Sequence, residues 1–538
     1  MIAKTPTGGL VVAWEDDRAV VDKDDIYIAR SNDGASFSAS VRADGSFGSS
    51  EQIKPSIAIS SRGTILLAWQ DSRASTFDYD IYFAKSEDGG LTFSRSVKVD
   101  DGSGNISWQE RPSIAVTSNG IIYVAWTDDR TGPGQLRIRG AYSTNGGTTF
   151  SASAELVPSG SKSGQGSASL AVSGNRLYAA FIDTISGTPH PYFCSSTNGG
   201  KSFTAPVRLD STGAVNATQK AVCIAPAPGG GIAAIWEDNR NGEWDIYSTI
   251  VSYKGVVATP DIRVDDDTTR SFQHEPAIAA DQLGNLYAAW RDDRDMVFAI
   301  RFAYLVAGSA KFNASIEISR PGPNDLQREP SLVAVNPGRV VVVWQDDVAG
   351  TYDVYASVGL FPSLFGMSLL MGWNLISIPS DGYVYRASTL GLKNGDVVAS
   401  WNSTLQIFDK VYIVGNSPPP TDFVLSPSTG YWVNTAGNER IKLNGTIPSV
   451  VQTKRISVPS SGGWTLIGFE SLNVTRYASD IPRMHDVPGG ISVVSRFNAA
   501  TSSYDIYLVG APMTDFTLAP GEAYYCYCTV SGTLTYIP

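Results

Sequence analysis

Val11-Val12-Ala13-Trp14, Leu66-Leu67-Ala68-Trp69, Tyr123-Val124-Ala125-Trp126, Tyr178-Ala179-Ala180-Phe181, Ala233-Ala234-Ile235-Trp236, Tyr287-Ala288-Ala289-Trp290 and Val341-Val342-Val343-Trp344 are seven copies of one short apolar run ending on an aromatic residue. Successive aromatics lie 55, 57, 55, 55, 54 and 54 residues apart. A spacing this regular marks a repeat architecture. Each unit reads as four short strands. A run such as Pro112-Ser-Ile-Ala-Val116 is the first, and a glycine turn leads to the second, which ends on the aromatic. The third follows a polar turn, as in Asp80-Ile-Tyr-Phe-Ala84, and a glycine hairpin leads to the fourth, as in Ser96-Val-Lys-Val99. Small and β-branched residues suit strands that pack on both faces. Four such strands per repeat make a propeller blade, whereas a helical solenoid would show a 3.6-residue period. The sequence therefore predicts an all-β chain opening with a seven-bladed β-propeller over residues 1–360. Ile2-Ala-Lys-Thr5 reads as a first strand, and nothing after Asp353-Val-Tyr-Ala-Ser-Val358 reads as a fourth. The expectation is a propeller truncated on its N-terminal side, with an incomplete last blade whose edge is open.

Around Phe361-Pro362 the period stops, and a different unit appears twice. Gly372-Trp373-Asn-Leu-Ile matches Gly463-Trp464-Thr-Leu-Ile, and Val397-Val-Ala-Ser-Trp401-Asn matches Val493-Val-Ser-Arg-Phe497-Asn. Thr421-Asp-Phe423 matches Thr514-Asp-Phe516, and Gly430-Tyr-Trp432 matches Ala523-Tyr-Tyr525. The offset stays between 91 and 96 residues, which predicts two tandem β-rich modules over 366–448 and 449–538. Their aromatics read as core, with stacking on a sugar ring as the functional alternative.

Two further signatures carry resemblances. The hairpin between third and fourth strands runs Ser31-Asn-Asp33-Gly34-Ala-Ser-Phe37, Ser86-Glu-Asp88-Gly-Gly-Leu-Thr-Phe93, Ser143-Thr-Asn145-Gly-Gly-Thr-Thr-Phe150 and Ser196-Thr-Asn198-Gly-Gly-Lys-Ser-Phe203. Asp or Asn can accept turn amides and glycine supplies positive φ. These hairpins resemble the Asp-box of sialidase-type (BNR-repeat) propellers, over the first four repeats; the fifth and sixth lack it. In that family the box is structural and lies opposite the active site, so the resemblance implies an architecture. The second signature is W-x-D-x-R followed by D-I-Y, as in Trp14-Glu-Asp16-Asp-Arg18 with Asp25-Ile-Tyr27, and Trp236-Glu-Asp238-Asn-Arg240 with Asp245-Ile-Tyr247. It resembles the repeat of TolB-like and sialidase-like surface propellers of archaea and bacteria. The C-terminal pair resembles the GWNLISIP-type repeats of prokaryotic surface proteins. Together these imply a secreted or cell-surface protein whose partner is a glycan or a surface protein. The alternative they imply is a glycoside hydrolase.

Composition narrows the rest. A formal charge of −11 in 538 residues argues against a nucleic-acid partner, whose phosphates reward a basic face. It also argues against a polybasic membrane patch. No apolar run reaches the length of a membrane span, and Met1-Ile-Ala-Lys-Thr-Pro lacks the apolar core of a signal peptide. Six N-x-S/T sequons, at Asn105, Asn216, Asn313, Asn402, Asn444 and Asn473, fit an exported glycoprotein. Four cysteines are too few for a disulfide framework; Cys526 and Cys528 share one strand face and make a poor zinc site.

The resemblance to sialidase-type propellers implies ligand chemistry on the face where the second-to-third turns and the segments entering the first strand emerge. The turns supply Asp16/Arg18, Asp71/Arg73, Asp128/Arg130, Asp238/Arg240 and Asp292/Arg294. Arginine suits a substrate carboxylate, so Arg130 and Arg294 are ligand candidates, although a pair present in most repeats reads first as a turn brace. Departures from the repeat are more informative. A Gln before the first strand recurs at Gln52, Gln109, Gln165, Gln219, Gln273 and Gln327, and the residues after it vary. Glu110, Glu275 and Glu329 are the candidates for general acid–base work, and Arg111, His274 and Arg328 for ligand binding. The D-I-Y position holds Arg137 in the third repeat and His190 in the fourth, which points to that sector as well. No cofactor or metal set is assigned. The acidic loops Asp100-Asp-Gly-Ser-Gly-Asn105 and Asp265-Asp-Asp267 offer oxygens of the kind a structural Ca²⁺ takes, without matching an EF-hand.

Overall fold

The computed structural model describes residues 1–360 apart from short loop segments, the longest being 158–163 and 211–216. It describes residues 363–536 apart from stretches that include 378–384, 416–421, 446–453, 469–477 and 510–515. Sequons Asn105, Asn216 and Asn473, with Phe361-Pro362, Thr421 and Thr514-Asp515, lie outside the described residues. The chain is all-β; helix is confined to pieces such as Ile481–Met484, and no described helix is long and apolar enough to cross a membrane. It divides into two compact units, Met1–Val335 with Val340–Gly359, and Asn336–Arg339 with Leu360–Pro538.

In the first unit, six four-stranded antiparallel sheets follow one another with their strands in chain order. The first comprises Ile2–Lys4, Leu10–Val20, Lys23–Ser31 and the short outer strand Val41–Arg42. A seventh sheet has three described strands, Gln327–Asn336, Arg339–Asp346 and Asp353–Leu360. The quoted apolar runs are the second strands, and Ile122–Asp128 is buried along its whole length. Burial on both faces is possible because each sheet lies against two others. Val11 and Ile28 of the first sheet pack with Ile57 and Trp69 of the second, and Leu66 and Phe83 of the second pack with Trp126 of the third. The last sheet returns to the first: Val335, Val341 and Val343 pack with Ile2, Leu10 and Val12. The Ile2 N–H donates to Ser331 Oγ at 3.2 Å, and Lys4 Nζ donates to the Val335 carbonyl. The ring is closed by apolar packing, the dominant favourable term in such a fold.

The glycine hairpins fasten neighbouring sheets. Asp33 Oδ1 accepts the N–H groups of Ala35 and Ser36 at 2.9 Å each, and these bonds hold its carboxyl down at about 2. Gly147 shows why the box needs glycine: its φ is +82°, and an added Cβ would stand 2.2 Å from the Phe83 ring of the preceding sheet.

The second unit contains two four-stranded sheets of the same strand order. One orders Gly372–Ser377, Gly430–Thr435, Val397–Asn402 and Ile407–Ile413; the other orders Gly463–Gly468, Ala523–Cys528, Ile491–Asn498 and Ser503–Leu508. Corresponding residues of the two copies meet in one cluster containing Leu375, Trp432, Leu466 and Ala523, bordered by Trp401, Phe497 and Tyr525. All four cysteines are free, and Cys526 and Cys528 are buried.

Candidate functional site

Every polar position of W-x-D-x-R has a structural partner. In the fifth repeat Asp238 Oδ2 accepts from Trp236 Nε1 at 3.2 Å, Gln219 Nε2 at 3.1 Å and Arg240 Nη2 at 2.5 Å. Its Oδ1 accepts the Arg240 N–H at 2.9 Å, and the guanidinium lies 4.1 Å over the Tyr247 ring. The next residue, Asn239, accepts the Thr218 N–H through Oδ1 at 2.7 Å. Arg130 and Arg294 repeat this brace on Asp128 and Asp292; Arg130 also reaches Asp101 at 2.7 Å, and Arg294 reaches Asp266 at 2.9 Å and Asp267 at 3.9 Å. The acidic loops are likewise committed: Asp100 and Asp265 accept the Ile81 and Ile246 N–H groups, and Asp267 accepts from Thr269 and Ser271.

The residue after the aromatic also has a task. In six of the seven sheets the first strand carries a residue with left-handed φ at its bulge position: Lys54 (53°), Arg111 (53°), Ser167 (57°), Ala221 (52°), Glu275 (55°) and Glu329 (52°). Non-glycine residues rarely sit there, and six at one repeat position mark a built feature. Four of these N–H groups are received across the sheet boundary. Lys54 donates to Glu15 Oε2 at 2.7 Å, Arg111 to Gln70 Oε1 at 2.9 Å and Glu275 to Glu237 Oε1 at 2.9 Å. In the sixth sheet Arg291 occupies the acceptor position and cannot accept. The Glu275 carboxylate takes over, receiving the Glu329 N–H at 2.7 Å and pairing with Arg291 at 3.2 Å.

The six bulge residues line one central cavity of about 480 Å³. It therefore brings together Arg111, Glu275 and Glu329 of the expected residues and adds Lys54 and Glu15. Lys54 Nζ lies 2.7 Å from Glu329 and 3.5 Å from Glu15. Burial opposes ionisation of Glu329, but the Lys54 ammonium prevails and holds it below the usual carboxylate range. Glu110, His274 and Arg328, one residue earlier, do not line this cavity. His274 Nδ1 is 2.7 Å from Glu237 Oε2, with its ring stacked on Phe272 and beside Trp244. Arg328 lies 3.9 Å over Tyr352 and donates to Gln345 at 3.1 Å. Arg137 and His190 are buried in their sheets. His190 meets Asp210 at 3.2 Å, Arg208 at 2.9 Å and Thr188 at 2.8 Å.

Two variable positions at this end of the sheets escaped the sequence reading. The residue before the D-I-Y position is Asp24, Tyr79, Leu136, Pro189, Trp244, Phe298 and Tyr352 in turn, and the residue before the recurrent Gln includes Trp108, Phe272 and Leu326. Trp108 is 49% exposed and Phe272 40%, each beside a second ring: Tyr79 at 6.3 Å from Trp108 and His274 at 6.0 Å from Phe272, with Trp244 in turn 6.4 Å from His274 and under Lys220. In the first sheet the same position is acidic. Asp24 is pushed up to about 6, first by burial and then by Glu15, Glu51, Asp17 and Asp16. Tyr79 donates to Glu51 Oε2, and burial with that carboxylate pushes its phenol up.

Asp24 gives a pH prediction. Folded, it keeps its proton to about pH 6, against 3.8 for an ordinary Asp. Its stabilising contribution is therefore complete below pH 3.8 and lost as the pH rises through 6. Asp24→Asn is expected to raise the melting temperature relative to the parent at pH 8 and to leave it unchanged at pH 3.5. Melts at the two pH values decide it, and equal shifts at both would be contrary.

No family model matches the sequence, and no curated protein matches it. Solved structures similar to it include the α-L-arabinofuranosidase of Fusarium graminearum in complex with an iminosugar inhibitor, at 16% identity over 57% of this chain and 93% of that one, TM-score 0.41. An ulvan lyase from a new family of polysaccharide lyases matches at 13% identity over 66% of this chain and 91% of that one, TM-score 0.46. A Hadza microbial sialidase matches at 12% identity over 67% and 64%, TM-score 0.40. Likeness of this degree assigns no activity to this chain.

Proposed function

We propose that residues 1–360 form a seven-bladed, sialidase-like β-propeller of a secreted or cell-surface protein, which binds glycan on the face holding the channel mouth. On this reading, 366–448 and 449–538 are two accompanying β-modules. The observation that carries the reading is the half-exposed Trp108 and Phe272, each backed by a second ring and set beside charged groups. Exposed aromatic faces next to a few fixed polar groups suit sugar rings, which offer apolar C–H faces and hydroxyl edges. Glu237 and Glu329 are both held below the usual carboxylate range, which supports binding over acid catalysis at those two residues. A glycan array followed by calorimetry tests it. Trp108→Ala and Phe272→Ala are each expected to weaken the best glycan about tenfold with unchanged melting. Full affinity in both variants would count against the site.

A second reading, a glycoside hydrolase, is favoured by Asp24 alone among these groups. It holds its proton toward neutral pH beside the Glu51–Tyr79 pair, as a general acid must. If this reading holds, Asp24→Asn lowers turnover of aryl glycosides by about 10²–10⁴. Turnover lost instead in Glu275→Gln or Glu329→Gln would move the chemistry into the channel.

A further inference from the structure

Six sheets of the first unit end in an outer strand, and their residues define what the seventh lacks among the described residues. Four of the outer strands read apolar–basic–apolar–Asp: Val41-Arg-Ala-Asp44, Val97-Lys-Val-Asp100, Val207-Arg-Leu-Asp210 and Ile262-Arg-Val-Asp265. The third residue is buried in each case, at Ala43, Val99, Leu209 and Val264. In three of them the Asp accepts the N–H of the residue after the third strand's Asp: Ile26 at 3.1 Å, Ile81 at 2.9 Å and Ile246 at 2.8 Å. The basic residue pairs with that third-strand Asp itself, as Arg42 with Asp25, Lys98 with Asp80 at 2.7 Å and Arg263 with Asp245 at 2.6 Å. Where the third strand has Arg137 or Ala299 at this position, the outer strand carries Glu155 or Glu317 instead. These glutamates lie 3.8 Å from Arg139 and 3.9 Å from Arg301, so in all five of these sheets the outer strand's charge opposes one on the third strand.

The seventh sheet has Asp353-Val354-Tyr355 at this position, and all three are exposed, whereas Asp25, Asp80 and Asp245 are buried. Asp353 has no ion pair among the described residues. Beside it lies a second cavity of about 480 Å³, lined by Trp14, Phe37, Val343, Val354 and Tyr355 among others. Its far wall is also prepared. In the third and sixth sheets, the residue after the preceding outer strand's Asp bridges an Arg and a Ser. Asp101 accepts from Arg130 at 2.7 Å and the Ser153 N–H at 2.9 Å; Asp266 accepts from Arg294 at 2.9 Å and the Ser315 N–H at 2.8 Å. Arg18 and Ser40 hold these positions in the first sheet. Arg18 is 52% exposed, against 22% for Arg130 and 14% for Arg294.

We propose that the open edge of the seventh sheet is a docking site for an extended peptide strand of the pattern apolar–basic–apolar–Asp–Asp. The strand adds antiparallel to Asp353–Leu360, as strands add to exposed sheet edges. Its basic side chain pairs with Asp353, its first Asp receives the Val354 N–H, its second Asp receives Arg18 and Ser40, and its apolar residues fill the cavity against Phe37 and Val343.

The test uses the full chain and a labelled peptide copying residues 96–101, Ser-Val-Lys-Val-Asp-Asp. Saturable binding is expected, weakened about tenfold or more by Asp353→Lys. A peptide with Asp in place of Lys is expected to bind Asp353→Lys and not the parent. Asp353 is exposed, so melting of the variant should match the parent and exclude misfolding. Absence of peptide binding, or binding indifferent to the charge exchange, would overturn the proposal. Concentration-dependent dimerisation that the peptide does not displace would assign the edge to a second copy and overturn it equally.

Discussion

Asp238→Ala is expected to destabilise the first unit by about 3 kcal/mol while leaving glycan affinity at Trp108 unchanged. The carboxylate is fully buried and holds an indole N–H, a side-chain amide, a backbone N–H and a guanidinium at once. Removing it leaves the Trp236 N–H buried without an acceptor and Arg240 with Asp261 as its remaining ion partner. Residual pairing with Asp261, and the Tyr247 ring under the guanidinium, keep the loss at the low end for a broken buried pair. Asp238→Asn retains an oxygen acceptor for the indole and should lose less. Denaturant unfolding of the three proteins checks the order. Glycan affinity lost in Asp238→Ala at an unchanged midpoint would instead make the motif a binding element.

The brace was legible because it repeats. A period near 55 residues located the seven sheets of the first unit, and the five Asp–Arg pairs that it repeats are all formed in the structure. The bulge was not legible. A charged residue before proline, as in Lys54-Pro55, Arg111-Pro112, Glu275-Pro276 and Glu329-Pro330, is ordinarily extended. Here it takes positive φ, and a side chain of the neighbouring sheet receives its N–H. Capture of that kind depends on which sheet lies alongside, and no local pattern encodes it. The same holds for Asp24, whose proton affinity is set by burial and by Glu15 and Glu51 from other strands. The aromatic positions did leave a signal. At the D-I-Y Asp position the departures Arg137 and His190 are buried, while the residue before it varies more and carries Tyr79, Trp244, Phe298 and Tyr352.

Trp432→Ala is expected to cost the second unit about 3–5 kcal/mol, the range for truncating a large buried aromatic. Trp432 is 7% exposed, packs on Phe497 at 4.8 Å, and donates from Nε1 to Tyr525 Oη at 3.0 Å. Phe497 and Tyr525 belong to the second copy of the repeat, and Tyr525 is the counterpart of Trp432 itself. Both copies thus present the same face: Leu375 and Leu466, Trp401 and Phe497, Trp432 and Tyr525 enter one cluster. Approach is close enough that a Cβ on Gly430 would stand 2.3 Å from Leu466 Cγ, so Gly430→Ala should act in the same direction. These aromatics hold one copy of the repeat against the other, which leaves little of their surface for a sugar ring. Trp373 is the contrasting case, at 46% exposure, and Trp373→Ala should melt close to the parent. Unfolding of the full chain followed by tryptophan fluorescence separates these outcomes. An unchanged second-unit transition in Trp432→Ala would mean that the two copies are held by something other than this cluster.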